Sequence, residues 1–188
     1  MEPTTLTAPA TTSASLTAIL ILALGSSVVA GALGHILTGL RAGATIRRDH
    51  YAAAVKLLVA RIEYPYRIRR RTSDDPEVLN ALAAAGHDLQ ERLVETRAWI
   101  STESTVLSDV FDHCITCLDA PFKQACTDAW KAAPVTSAAQ MNLGGFGMGN
   151  QQHIVTTMER TLTYRFGHRR LIPAFLLRRL FKRHGLLP

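Results

Sequence analysis

Apolar residues are distributed along this chain in three patterns. From Leu16 to Leu40, LTAILILALGSSVVAGALGHILTGL, 25 residues pass without an Asp, Glu, Lys or Arg. Beyond that run Tyr51, Val55, Leu58 and Ile62 recur at alternating spacings of four and three, the period of one helix face. A heptad register then begins. One column is Leu79, Gly86, Leu93, Ile100, Leu107 and Cys114; the other is Leu82, Leu89, Thr96, Glu103, Val110 and Cys117. Most of these positions are apolar, as a packed seam requires, and Thr96 and Glu103 interrupt it. No segment sustains a period of two, so the pattern predicts an all-α fold without a sheet.

As a helix the first run spans roughly 37 Å, enough to cross a hydrocarbon core of about 30 Å. The leader MEPTTLTAPATTSAS has no Lys or Arg, and the apolar run is too long for a cleaved signal peptide. The expectation is a single retained transmembrane helix. Arg41, Arg47, Arg48, Lys56 and Arg61 follow the span and no basic residue precedes it, which places the N-terminus outside and the rest in the cytoplasm. The chain is thus read as a single-pass protein of the cell (inner/cytoplasmic) membrane. Residues 1–15 would be a disordered extracytoplasmic tail and 16–40 the transmembrane helix. Residues 41–133 would form a cytoplasmic helical hairpin or bundle, 134–150 a Gly-rich linker, and 151–188 a C-terminal basic helical segment.

Within the cytoplasmic part, Pro65 is expected to end the helix that leaves the membrane, at about Glu63. Asp75 and Pro76 open the next helix, which returns antiparallel to the first or diverges from it. Straight, residues 76–118 would extend roughly 64 Å against roughly 34 Å for 41–63, so a returning helix must break before the bilayer. The cluster of weak helix formers STEST, residues 101–105, is the expected place, which puts Trp99 near the interface. Pro121 is expected to open a further short helix to about Ala132. The Gly-rich segment PVTSAAQMNLGGFGMGN, residues 134–150, reads as a mobile linker. Two more helices follow, from about Gln151 to Phe166 and from Leu171 to about His184.

Charge adds an asymmetry that the net value of +6 hides. Residues 41–71 hold nine Lys/Arg against two acids, residues 72–159 four against twelve, and residues 160–188 eight against none. Basic segments flanking an acidic middle suggest lipid headgroups, nucleic acid or internal pairing. The excess of Arg (17) over Lys (4) fits a GC-rich bacterial genome.

The candidate chemistry is sparse. Cys114, Cys117 and Cys126 lie in DHCITCLDAPFKQAC and are the candidate metal ligands, zinc being the possible ion. The heptad register instead assigns Cys114 and Cys117 to the seam, where small apolar side chains pack. Adjacent His113 and Cys114 project about 100° apart, so His113 is a poor fourth ligand. The loop GGFGMG lacks both a preceding strand and a following Lys-Ser/Thr, which argues against nucleotide binding. No G-x-S-x-G, H-E-x-x-H or phosphate loop occurs, so no catalytic residue and no cofactor is assigned.

Two features remain. On the span, Ser27, Ala30, Gly31, Gly34 and Thr38 form a small-residue face suited to close packing with a second copy or another membrane protein. His35 is the one ionisable group in that run. At the other end, Arg169, Arg170, Arg178, Arg179, Lys182 and Arg183 are the candidate membrane-surface residues. In the last helix Ala174, Leu176, Leu177, Leu180 and Phe181 project to one side and the cations to the other, with Phe175 alone on the basic side. A basic amphipathic helix reads as an element lying on anionic lipid headgroups, or as one packed on the hairpin with its arginines against the acidic middle. Nucleic acid is the weaker alternative partner, because no base-stacking aromatics accompany the cations beyond Phe175. The expected function is a membrane-anchored helical scaffold or adaptor that binds a protein partner at the cytoplasmic face. The alternatives are a membrane-tethered nucleic-acid-binding module and a metal- or thiol-dependent sensor.

Overall fold

A computed structural model describes residues 27–187. The expected tail and residues 16–26 of the expected span lie outside them. The chain divides into two units, Met1–Arg47 and Arg48–Pro188. The described residues contain five α-helices and no strand: α1 (Ser27–Arg69), α2 (Pro76–Glu103), α3 (Thr105–Lys131), α4 (Gln152–Thr163) and α5 (Ala174–Arg183). Short 3₁₀ turns occupy Ala138–Met141 and Gly167–Leu171. The all-α expectation therefore holds. Among the described residues no helix is long and apolar enough to cross a membrane.

The second unit is built on α3. Along the C-terminal part of α1, α2 runs antiparallel: His50 stacks on Trp99 at 4.4 Å, and the Tyr64 hydroxyl donates to the Leu82 carbonyl at 2.9 Å. Parallel to the same stretch runs α3, pairing Arg61 with Asp119 and bringing the Tyr64 and Phe122 rings to 6.2 Å. Against α3 lie α4, antiparallel, and α5, parallel. The first relation follows from Cys114 beside Ile154 and Glu103 beside Arg165; the second follows from Arg170 beside Glu103 and Arg178 on Asp109. The core between them includes Leu57, Leu58, Ile100, Leu107, Phe111, Leu118, Met158 and Phe181, all almost fully buried. Burying a side chain of this size contributes roughly 1.5–3 kcal/mol.

The break before α3 falls inside STEST. Ser104 is extended (φ −167°, ψ 123°), its N–H still bonds to the Ile100 carbonyl, and its hydroxyl accepts from Leu107 N at 3.4 Å. One serine thus ends α2 and caps α3. Asp75 precedes α2 in an extended conformation with Pro76 in its first turn, as expected, although the Asp75 side chain makes no capping bond.

Two prolines behave differently from expectation. Pro65 does not end α1, which runs on to Arg69, and Pro121 opens no new helix but lies within α3. A helical proline removes one backbone hydrogen bond and strains one turn. Tertiary contacts outweigh that local cost. Beyond Pro65, Ile68 is fully buried and Arg71 is held by carbonyls of the α3 C-terminus. Beyond Pro121, Ala125 and Ala129 continue the buried stripe.

The Gly-rich segment is tied to the bundle rather than free. Val135 N–H donates to the Arg71 carbonyl at 2.8 Å, Val135 and Met148 are buried, and Phe146 meets Tyr66 edge-on at 5.4 Å. Gly147 has φ +123°, and a Cβ there would stand 1.9 Å from the Tyr66 hydroxyl oxygen. Only glycine satisfies both the backbone and the space.

Candidate interaction surface

A polar cluster gathers on Glu103, one of the two residues that interrupt the heptad seam. Its carboxylate accepts from the Tyr51 hydroxyl at 3.2 Å and from Arg165 Nη2 at 3.3 Å, and Arg170 Nη2 lies 3.6 Å away. The side chain is only 14 % exposed. A carboxylate at a helix C-terminus faces the negative end of the dipole. The two guanidinium groups offset this, and Arg165 also reaches the Glu103 carbonyl at 3.4 Å. Burial, the largest influence, pushes the Tyr51 hydroxyl above its ordinary pKa. Rings pack around it: Trp99 at 5.2 Å and Phe166 at 5.5 Å, both edge-on.

The C-terminal segment begins at this same end of the bundle, because Arg178 pairs with Asp109 barely one turn into α3. The apolar face expected to enter a membrane is divided. Leu177 and Phe181 point inward and are fully buried, with Leu186 beside them. Ala174 is exposed and Leu176 is 46 % exposed. The candidate membrane-surface cations divide as well. Arg178 is taken up by Asp109, and Lys182 lines a groove of about 440 Å³ with Asp109, Asp112 and Leu187. Arg170 lies on Glu103, and Arg169 sits over the Tyr164 ring at 5.7 Å. Arg179 and Arg183 make no ion pair among the described residues. They flank a second groove, of about 320 Å³, lined by Ile172, Leu176 and Leu180.

The three cysteines point in three directions. Cys114 is buried against α4, its sulfur 3.8 Å from the Ile154 carbonyl, and burial pushes its thiol up to about 12. Cys126 faces the Arg61 region of α1, and burial pushes it up to about 11, with Arg61 opposing. Cys117 is exposed, 3.7 Å from His113 Nε2. Its expected place on the seam is corrected. The buried stripe of α3 steps from Val110 to Cys114 to Leu118, a spacing of four that leaves position 117 outside. Among the described residues no group of three or more His, Cys, Asp or Glu side chains is arranged to hold a metal ion. Cys114, Cys117 and Cys126 do not converge: one is buried, one exposed and one half-buried.

Of the small-residue face, Ser27, Ala30, Gly31, Gly34 and Thr38 all lie on α1. The side chains of the first four are outside the described ones; Thr38 and His35 are exposed. Glu103 was visible in the sequence only as an interruption of an apolar column, and its partner Arg165 lies 62 positions away. Comparison with known protein families, curated proteins and solved structures finds no match for this chain.

Proposed function

We propose that this protein is a single-pass, membrane-anchored helical adaptor, N-terminus outside and C-terminus in the cytoplasm, that holds a protein partner at the cytoplasmic membrane face. The apolar run Leu16–Leu40 supplies the anchor, and its small-residue face supports pairing with a second copy or another membrane protein. The C-terminal cations give a second hold on anionic headgroups.

The observation that carries this reading is the composition of the Glu103 end of the bundle. His50, Tyr51, Trp99 and Phe166 are in ring contact there, with Arg165 and Arg170 on Glu103 beside them. Arg48, where this unit begins, is eight positions after Leu40. Aromatic rings interleaved with cations, close in the chain to a 25-residue uncharged run, match the make-up of a membrane–water interface. The proposed role is binding. The two strongly shifted thiols, Cys114 and Cys126, are moved toward neutral, unreactive forms, the opposite of what a nucleophile needs.

Alkaline carbonate extraction of membranes from cells making the full chain tests the anchor. The protein is expected to stay in the pellet, and a C-terminal tag should be digested by protease only after the cells are opened. Release into the supernatant contradicts the proposal.

A further inference from the structure

The C-terminal region exposes large apolar side chains that the bundle leaves uncovered. Leu171 is 84 % exposed, Phe175 71 % and Leu176 46 %, and Phe166 is exposed beside them in sequence. Large apolar groups exposed together and rimmed by polar residues mark protein or membrane interaction sites. Arg179 and Arg183 stand one turn apart at the rim of the groove lined by Ile172, Leu176 and Leu180, and neither has an acidic partner among the described residues. Residues 160–188 contain eight Lys/Arg and no Asp or Glu. On α5 exposed Phe175 lies four positions before Arg179, and Leu176, Arg179 and Arg183 line one groove, so exposed apolar side chains and unneutralised cations are neighbours on this helix.

We propose that this surface docks on an anionic phospholipid leaflet, with Leu171 and Phe175 inserted between lipids and Arg179 and Arg183 on the phosphates. The inference rests on the membrane reading above and specifies how the C-terminal hold is made. It differs from the simple amphipathic-helix expectation, in which Leu177 and Phe181 enter the bilayer. Those two are already buried in the protein core. The lipid-facing set is instead Leu171, Phe175 and Leu176, and the odd position of Phe175 on the basic side of α5 becomes its working position. Charge complementarity selects the occupant. An anionic leaflet meets the whole cationic rim at once, and long arginine stems let their heads stay at phosphate level while neighbouring apolar groups insert. Arg178 contributes little, since Asp109 already pairs with it.

The test is hydrogen–deuterium exchange on the full chain reconstituted in phosphatidylcholine vesicles with and without phosphatidylglycerol, read over residues 169–183. The anionic lipid is expected to slow exchange there by about fivefold or more, the partition factor that one cation near an anionic leaflet contributes. Phe175→Asp, and separately Arg179→Gln with Arg183→Gln, should abolish the slowing while exchange in α3 stays unchanged, which excludes unfolding. Equal exchange in both bilayers overturns the proposal and leaves the surface to an acidic protein. Slowing that survives Phe175→Asp also overturns it, because insertion is then not required. If the chain fails to enter phosphatidylcholine vesicles, the anchor reading fails by itself. Flotation with phosphatidylglycerol vesicles, and its loss in Phe175→Asp, still decides the docking surface.

Discussion

The two ends of the helical bundle are both rich in arginine and use it in opposite ways. At the end where α1 meets the α3 C-terminus, Arg71 is 6 % exposed and turned inward. Its guanidinium donates to the carbonyls of Ala129 (2.8 Å), Trp130 (3.3 Å) and Ala132 (2.7 Å), and to Asp74 (2.6 Å). It lies 5.4 Å from the Trp130 ring. Those carbonyls are the orphan acceptors of a helix C-terminus, and a cation there also meets the favourable end of the dipole. This end is closed. At the Glu103 end one carboxylate serves two arginines, Arg179 and Arg183 have no acidic partner among the described residues, and Leu171 and Phe175 project outward. The contrast separates cations that hold a fold together from cations available to a ligand. Exposure and pairing, not the count of arginines, distinguish them.

The comparison is sharpest under substitution. Arg71→Ala removes the donor for the carbonyls of Ala129, Trp130 and Ala132, the first of them buried, which should destabilise the protein by about 3 kcal/mol in urea unfolding. Lysine should not rescue it, because one ammonium cannot reproduce the fork. Gly147→Ala, on the Tyr66 side of the same end, should cost about 2 kcal/mol through positive φ and the clash with the tyrosine ring. At the open end Glu103→Gln should cost only about 1 kcal/mol, since it retains shape and loses charge. Arg178→Gln, which breaks a half-exposed pair, should cost less than about 0.5 kcal/mol.

Cys114, between the two ends, gives a pH signature. Its folded thiol is raised above the unfolded value, so in the folded state it stays protonated where the unfolded chain ionises. Its contribution is fully present below pH 9 and is lost progressively as the pH rises from 9 toward about 12. Stability at pH 10 should therefore fall by about 1 kcal/mol relative to pH 8, and Cys114→Ala should flatten that part of the decline. An identical slope in the variant would show that Cys114 is not the cause. Under native conditions a maleimide should label exposed Cys117 well before Cys114 or Cys126.

Much of the fold was legible in the chain because local and tertiary preferences agree there. The Asp75-Pro76 start and the Ser104 break are both places where side-chain chemistry and helix geometry favour the same ending. Pro65 and Pro121 suggest helix ends in the sequence because a proline's cost is local and visible, whereas burial of Ile68, Arg71, Ala125 and Ala129 beyond them is tertiary. The heptad positions Leu107, Val110 and Cys114 are buried as expected, and the register misses only at Cys117, because the stripe continues at a spacing of four to Leu118. For the interaction surface, the sequence marked Glu103 and Phe175 as residues out of pattern. It did not show that Leu177 and Phe181 are claimed by the core, and that one fact transfers the outward role to Leu171, Phe175 and Leu176.

One tryptophan marks each end: Trp99 stacks on His50 near Glu103, and Trp130 lies beside Arg71. Single-tryptophan forms of the full chain, Trp130→Phe and Trp99→Phe, can be reconstituted in phosphatidylglycerol-containing vesicles with brominated acyl chains. Strong quenching of Trp99 and almost none of Trp130 is expected. Equal quenching of the two, or quenching of Trp130 alone, would contradict the claim that the Glu103 end faces the bilayer.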